Sequence, residues 1–211
     1  MKRIKKIIGI VLCITLFTTL VNIPNQYVYA TQNKTYNYSK GYSIQGNGAD
    51  DIVNVAMAQV GKTGAQLGYS EQWCADFVSD CADLAGQGSA IPRNGYCPSL
   101  QNAIINAGGY NVSVNTARKG DIAFYGTNGA DHVEIVYANN GGRISTIGGN
   151  SGSGRDCYSR SVRNHTYQTM TITKVLRPNY RQSAAVLPGT VDSSWNVPTS
   201  VSASHRITTY D

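Results

Sequence analysis

Residues 73–85 read Trp73-Cys74-Ala75-Asp76-Phe77-Val78-Ser79-Asp80-Cys81-Ala82-Asp83-Leu84-Ala85, and Gly86 follows. Phe77, Val78, Cys81, Ala82 and Ala85 fall on one apolar stripe at helical spacing, while Asp76, Asp80 and Asp83 cover the other side. The segment 74–85 is therefore read as an amphipathic helix that a glycine ends. Cys74 opens it. A thiol at that place faces unpaired backbone N–H groups and the positive end of the helix dipole, and both favour the thiolate. Cys81 lies two turns further along, inside the buried stripe, where a thiol is inert. One cysteine is placed for reactivity and the other for packing. Position alone leaves Cys74 open between a nucleophile and half of a structural disulfide.

On the N-terminal side, residues 49–60 (ADDIVNVAMAQV) form a second expected helix, with Asp50 and Asp51 in its first turn and Ile52, Val55, Ala56 and Gln59 at helical spacing. On the C-terminal side, residues 99–107 make a third, stopped by Gly108-Gly109. The character then changes. Residues 121–125, 132–137, 143–147 and 169–176 are short, β-branched and often alternating, and turns such as Asn139-Asn140-Gly141-Gly142 separate them. Helices first and strands afterwards predict an α+β domain with an antiparallel sheet. Residues 31–47, rich in Asn, Tyr, Ser and Lys, read as a polar linker, and residues 181–211 as a Ser/Thr-rich disordered tail.

The chain has 211 residues, with 18 Lys and Arg against 12 Asp and Glu, a net charge of +6. Lys2, Arg3, Lys5 and Lys6 supply four of those positive charges, and residues 1–30 hold no acid. Without that segment, 14 positive charges face 12 negative ones. A nearly neutral remainder excludes a broad basic surface and the electrostatic case for nucleic acid. The N-terminal pattern is a basic start, an apolar run over residues 7–21 and a small-residue exit at Val28 and Ala30. It predicts a secretory signal peptide cleaved after Ala30, hence a secreted or wall-associated chain with no stable membrane insertion once cleaved. A retained anchor is the alternative, and the apolar run is slightly short for a bilayer span. Cys74, Cys81, Cys97 and Cys157 remain after cleavage, and outside the cell four cysteines suggest disulfides. Their spacing lacks the close pairs of a structural zinc site. Asp50-Asp51 is a helix start and not a calcium loop. No metal or cofactor is expected.

A cysteine nucleophile needs a base. His205 lies in the tail, and His165 in a polar stretch between expected strands. His132 heads the most apolar strand, just past a glycine-rich turn, at a sheet rim where a helix N-terminus can meet it. An imidazole beside a thiol forms the thiolate–imidazolium pair that attacks a carbonyl and then protonates the leaving amine.

Helix 49–60, Trp73-Cys74-Ala75-Asp76-Phe77-Val78, Gly120-Asp121-Ile122-Ala123-Phe124, His132-Val133-Glu134-Ile135-Val136 and Ile147-Gly148-Gly149-Asn150, in that order, resemble the CHAP family. These are cysteine, histidine-dependent amidohydrolases and peptidases, papain-like enzymes that cut bacterial peptidoglycan. The resemblance spans residues 45–180, and Trp before the cysteine favours CHAP over NlpC-type relatives. It implies a catalytic domain at 48–180 whose cysteine helix packs on a small, barrel-like antiparallel sheet. It also implies Cys74 as nucleophile and His132 as base. The family usually carries Glu-Gly-Asn where this chain has Gly148-Gly149-Asn150, so the acid is missing there. Glu134 stands in a slot that is commonly glycine, on the same face as His132 and about 7 Å along the strand. The expectation is that Asn150 orients His132, with Glu134 a partial substitute or else a solvated strand residue.

The backbone N–H of Cys74 is a natural oxyanion donor, and Tyr69, Gln72 and Trp73 are candidates for the oxyanion site and substrate groove. Cys81 and Cys97 flank a 15-residue loop, and a bridge between them, leaving Cys157 unpaired, is the expected disulfide. The leading function is a secreted, monomeric bacterial peptidoglycan amidase or endopeptidase. The alternatives are a secreted cysteine peptidase or effector with a protein target, and a wall-binding module with a dead site.

Overall fold

The computed structural model describes residues 34–168 and 172–182. The signal peptide expected at 1–30 and nearly all of the expected tail lie outside them. Four helices come first: α1 (Gly48–Met57), α2 (Gly64–Leu67), α3 (Cys74–Leu84) and α4 (Cys97–Asn106). Six strands follow: β1 (Tyr110–Val112), β2 (Ile122–Tyr125), β3 (His132–Asn140), β4 (Arg143–Ser151), β5 (Ser161–Gln168) and β6 (Ile172–Arg177). They form one antiparallel sheet in the order β1-β6-β2-β3-β4-β5. The architecture is α+β. The sheet is open, with β1 and β5 at its edges, and does not close into a barrel.

Strand alternation decides which residues meet the helices. Val133 and Ile135 on β3, Ile122 and Phe124 on β2, and Ile147 on β4 join Ile52, Val55 and Ala56 of α1, Phe77, Val78 and Cys81 of α3, and Leu100 and Ile104 of α4 in the main core. Each fully buried Val, Ile, Leu or Phe among them contributes about 1.5–3 kcal/mol. Ala123, Val136, Ile144, Ile172 and Val175 make a smaller cluster. The outer face of α3 departs from the sequence reading. Ten of its eleven residues are buried, Asp76 and Asp80 among them. Asp80 can be buried because Tyr69 Oη and the Arg93 guanidinium donate to its carboxylate, and the Lys34 amide adds a 3.2 Å bond.

The stretch read as a linker is packed from Thr35 onward. Tyr38 is buried, stacks on Phe77 at 6.0 Å and shares a 2.9 Å hydrogen bond with the Tyr69 hydroxyl. The Ser39 amide donates to Gln59 Oε1 at 2.7 Å, and the Gln45 amide to Asp51 at 2.7 Å. Polar composition concealed this docking, because Tyr38, Tyr42 and Ile44 alone carry its apolar contacts with the core.

β4 runs four residues beyond the expected strand, through Gly148, Gly149 and Asn150. A Cβ at Gly149 would collide with the Trp73 ring and with Phe77, so only glycine lets β4 lie this close to α3. Gly149→Ala is expected to cost about 1–3 kcal/mol by overpacking. Urea unfolding followed by tryptophan fluorescence checks this, and an unchanged midpoint would show that the gap between β4 and α3 is not filled.

Candidate active site

Cys74 is the first residue of α3, with Trp73 as N-cap. Its sulfur lies 3.7 Å from the sulfur of Cys97, which is the first residue of α4. The hydrogen bond from the Cys97 thiol lowers the Cys74 pKa most; burial opposes it, and the hydrogen bond and charge of His132 and the amide of Val133 lower it further. The net result lies well below the ordinary thiol value. Cys97 moves the other way. The proton it offers Cys74 is held tightly, and burial disfavours its own thiolate. Cys81 is pushed well up by burial and by the charge of Asp80, as suits an inert core thiol.

The expected Cys81–Cys97 bridge is absent: all four cysteines of the described residues are free. The reason is placement. The N-terminus of α4 abuts that of α3, so Cys97 meets Cys74, whereas Cys81 sits about 10 Å further along the helix axis.

His132 begins β3, paired with Tyr125 of β2. Its Nε2 is 3.0 Å from Glu134 Oε1, which leaves Nδ1 as the ring nitrogen for the sulfur. Burial alone would lower the His132 pKa. The hydrogen bonds to Cys74 and Glu134 and their negative charges outweigh that and raise it to about 10. The opposed shifts of thiol and imidazole describe an ion pair, thiolate beside imidazolium.

Glu134 is fully buried and no solvated strand residue. Its Oε1 receives His132 Nε2, His165 Nε2 at 2.9 Å and Ser151 Oγ at 3.0 Å. Its Oε2 receives Thr146 Oγ1 at 2.5 Å and Tyr125 Oη at 3.4 Å. Burial raises its pKa, but the hydrogen bonds and charges of the two histidines overcome this and hold it at about 2. Space for the carboxylate comes from β4. The register Ile135↔Ile147 sets Glu134 across from Gly148, and a Cβ on Gly148 would collide with Glu134 Cγ and its carboxyl. The acid thus reaches the imidazole from β3 because the facing residue of β4 has no side chain.

Asn150 is placed differently from its expected role. It adopts φ 57°, is buried, and its Nδ2 donates to Gln72 Oε1, while His132 Nε2 is engaged by Glu134. Its Oδ1 is buried without a partner. Gln72 is exposed and lines a cleft of about 320 Å³ with Asp131, His132, Asn150, Ser151, Gly152, Arg160 and His165. Tyr69 and Trp73 do not reach that cleft. Both are fully buried and stacked at 4.9 Å, and Trp73 Nε1 donates to the Cys157 carbonyl at 2.9 Å. They support the loop and helix start from beneath instead of lining a groove. Among the described residues no group of three or more His, Cys, Asp or Glu side chains is placed to hold a metal ion.

The model of the CHAP domain family matches residues 64–150, a span holding Cys74, His132, Glu134 and Asn150. Residues 64–150 are a CHAP domain. No curated protein matches the chain. Among solved structures, the CHAP-containing chain is similar to the peptidoglycan hydrolase RipB of Mycobacterium tuberculosis, at 20% identity and a TM-score of 0.43, over 62% of this chain and 64% of that one. It is similar to the P60 domain of an antigen from M. avium subspecies paratuberculosis, at 19% identity and TM-score 0.44, over 61% of this chain and 92% of that one. The endolysin LysIME-EF1 aligns at 17% identity and TM-score 0.48, over 65% and 66%. The match thus spans less than two thirds of RipB and of LysIME-EF1.

His165, beyond the matched residues, is the member of this site that sequence reasoning passed over. It lies on β5 opposite Thr146 of β4, which brings its ring onto the Glu134 carboxylate. The available signal was a histidine within the polar run of residues 161–166, in which Val162 is buried.

Proposed function

We propose that the chain is an exported bacterial peptidoglycan hydrolase that cuts an amide bond of the peptide moiety through a thioester at Cys74. The observation that carries this reading is the Cys74–His132–Glu134 arrangement inside a CHAP domain, with His132 lining a polar cleft. The Cys74 thiolate adds to the scissile carbonyl. The oxyanion is received by the Cys74 backbone N–H, one of the unpaired donors at the start of α3, and by the side-chain amide of Gln72, whose oxygen Asn150 engages. The His132 imidazolium gives its proton to the departing amine as the C–N bond breaks, leaving an acyl-thioester. Neutral His132 then takes a proton from water, hydroxide adds to the thioester, and Cys74 departs as thiolate. Glu134 stays ionised throughout and steadies the imidazolium.

Export is supported by the pattern of residues 1–30 and fits a substrate outside the membrane. Purified walls incubated with the protein, followed by mass spectrometry of the soluble products, test the reading. New amino termini within stem peptides or cross-bridges identify an endopeptidase, and lactyl-bearing glycans an amidase. Folded protein that releases neither overturns it and leaves a binding module.

A further inference from the structure

Two helix N-termini meet at two sulfurs. α3 starts at Cys74 and α4 at Cys97, and the sulfurs stand 3.7 Å apart, at van der Waals contact. Both are nearly buried, at 7% and 4% exposure. A disulfide needs about 2.05 Å between sulfurs, so the pair has to close by about 1.7 Å. Hydrolysis of an amide does not use the Cys97 thiol as a reacting group. Cys81 is enclosed in the core, and the Cys157 backbone is engaged by Trp73. The juxtaposition is therefore particular to the nucleophile.

We propose that Cys74 and Cys97 form a reversible oxidation site whose co-substrate is hydrogen peroxide, with Cys74 as the oxidised thiol and Cys97 as the resolving one. The proposal rests on Cys74 being the nucleophilic thiolate of the reading above. The Cys74 thiolate attacks the peroxide, the O–O bond breaks, and the departing hydroxide takes the His132 proton to leave as water. The sulfur is oxidised by two electrons to a sulfenic acid. The Cys97 thiol then gives its proton to neutral His132, and its sulfur displaces the sulfenic hydroxyl, which leaves as a second water with that proton. Two thiols and one peroxide thus yield one disulfide and two waters. The bridge closes the nucleophile and stops further oxidation to the irreversible sulfinic and sulfonic acids. A thiol reductant reopens it by exchange.

The full chain is treated with hydrogen peroxide, then either alkylated and peptide-mapped or reduced with dithiothreitol and assayed for wall clearing. Recovery is expressed against each protein's own starting activity. The wild type is expected to give a Cys74–Cys97 linked peptide and to regain nearly all activity. Cys97→Ser, which keeps a hydrogen-bond donor beside Cys74, is expected to accumulate sulfinic acid on Cys74 and to recover about tenfold less. Absence of the linked peptide in the wild type, or equal recovery in Cys97→Ser, overturns the proposal. A linked peptide in a protein that never clears walls supports the thiol pair while refuting the hydrolase reading, so the two failures are told apart.

Discussion

Cys74→Ala is expected to lower wall hydrolysis by more than about 10⁴-fold while leaving the fold in place. The loss is large because the acyl intermediate cannot form. Cys81 is walled in by Val78, Ala82 and the rest of the core and has no raised nucleophilicity, and Cys97 holds its proton tightly, so no other thiol near the cleft can substitute. The fold should persist because alanine at the start of α3 keeps the backbone and removes a single buried sulfur. Circular dichroism and a zymogram of the same preparation check both halves. A variant that still clears walls would place the nucleophile elsewhere.

Glu134→Gln is expected to reduce kcat/KM by about 10²–10⁴-fold and to move the basic limb of its pH profile downward. The sign follows from His132. Its pKa is raised to about 10 by the partners Cys74 and Glu134 acting against burial. Removing the Glu134 charge leaves burial less opposed, so the imidazolium gives up its proton at lower pH and the ion pair is lost sooner as pH rises. A shift of one unit corresponds to about 1.4 kcal/mol. Glutamine is nearly isosteric, so the space above Gly148 stays filled and packing does not confound the result. A basic limb unmoved in Glu134→Gln would mean that the carboxylate does not stabilise the imidazolium. Since Glu134 fills the volume over Gly148, Glu134→Gly combined with Gly148→Glu is expected to regain part of the activity, approaching the same imidazole from the neighbouring strand.

The parts legible in the sequence are those with strong local signals. The α3 stripe, the cysteine at its head and the apolar strand behind His132 all follow from periodicity and end chemistry. Long-range events were not legible. Burial of Asp80 depends on Tyr69 and Arg93 arriving from separate loops. The edge strand β5 pairs along its length with β4 alone among the strands, and its polar sequence carries a weak strand pattern, so His165 was set aside as part of a polar stretch. Asn150 stands two residues past Gly148 on one strand, and simple alternation would put both on one face. Its left-handed backbone, together with the register shift between Gly148 and Ser151, turns its amide to Gln72 instead. The Cys74–Cys97 contact was hidden behind loop length, because the intervening residues fold back to the near end of α3.

The Cys74 thiolate paired with the His132 imidazolium is tested by the pH dependence of Cys74 alkylation by iodoacetamide, read by peptide mapping. The wild type should react through a thiolate well below the ordinary thiol range, and His132→Ala should shift that dependence to higher pH, while the part due to the Cys97 hydrogen bond remains. A wild-type profile that already titrates near 8.5, unchanged by His132→Ala, would contradict the account.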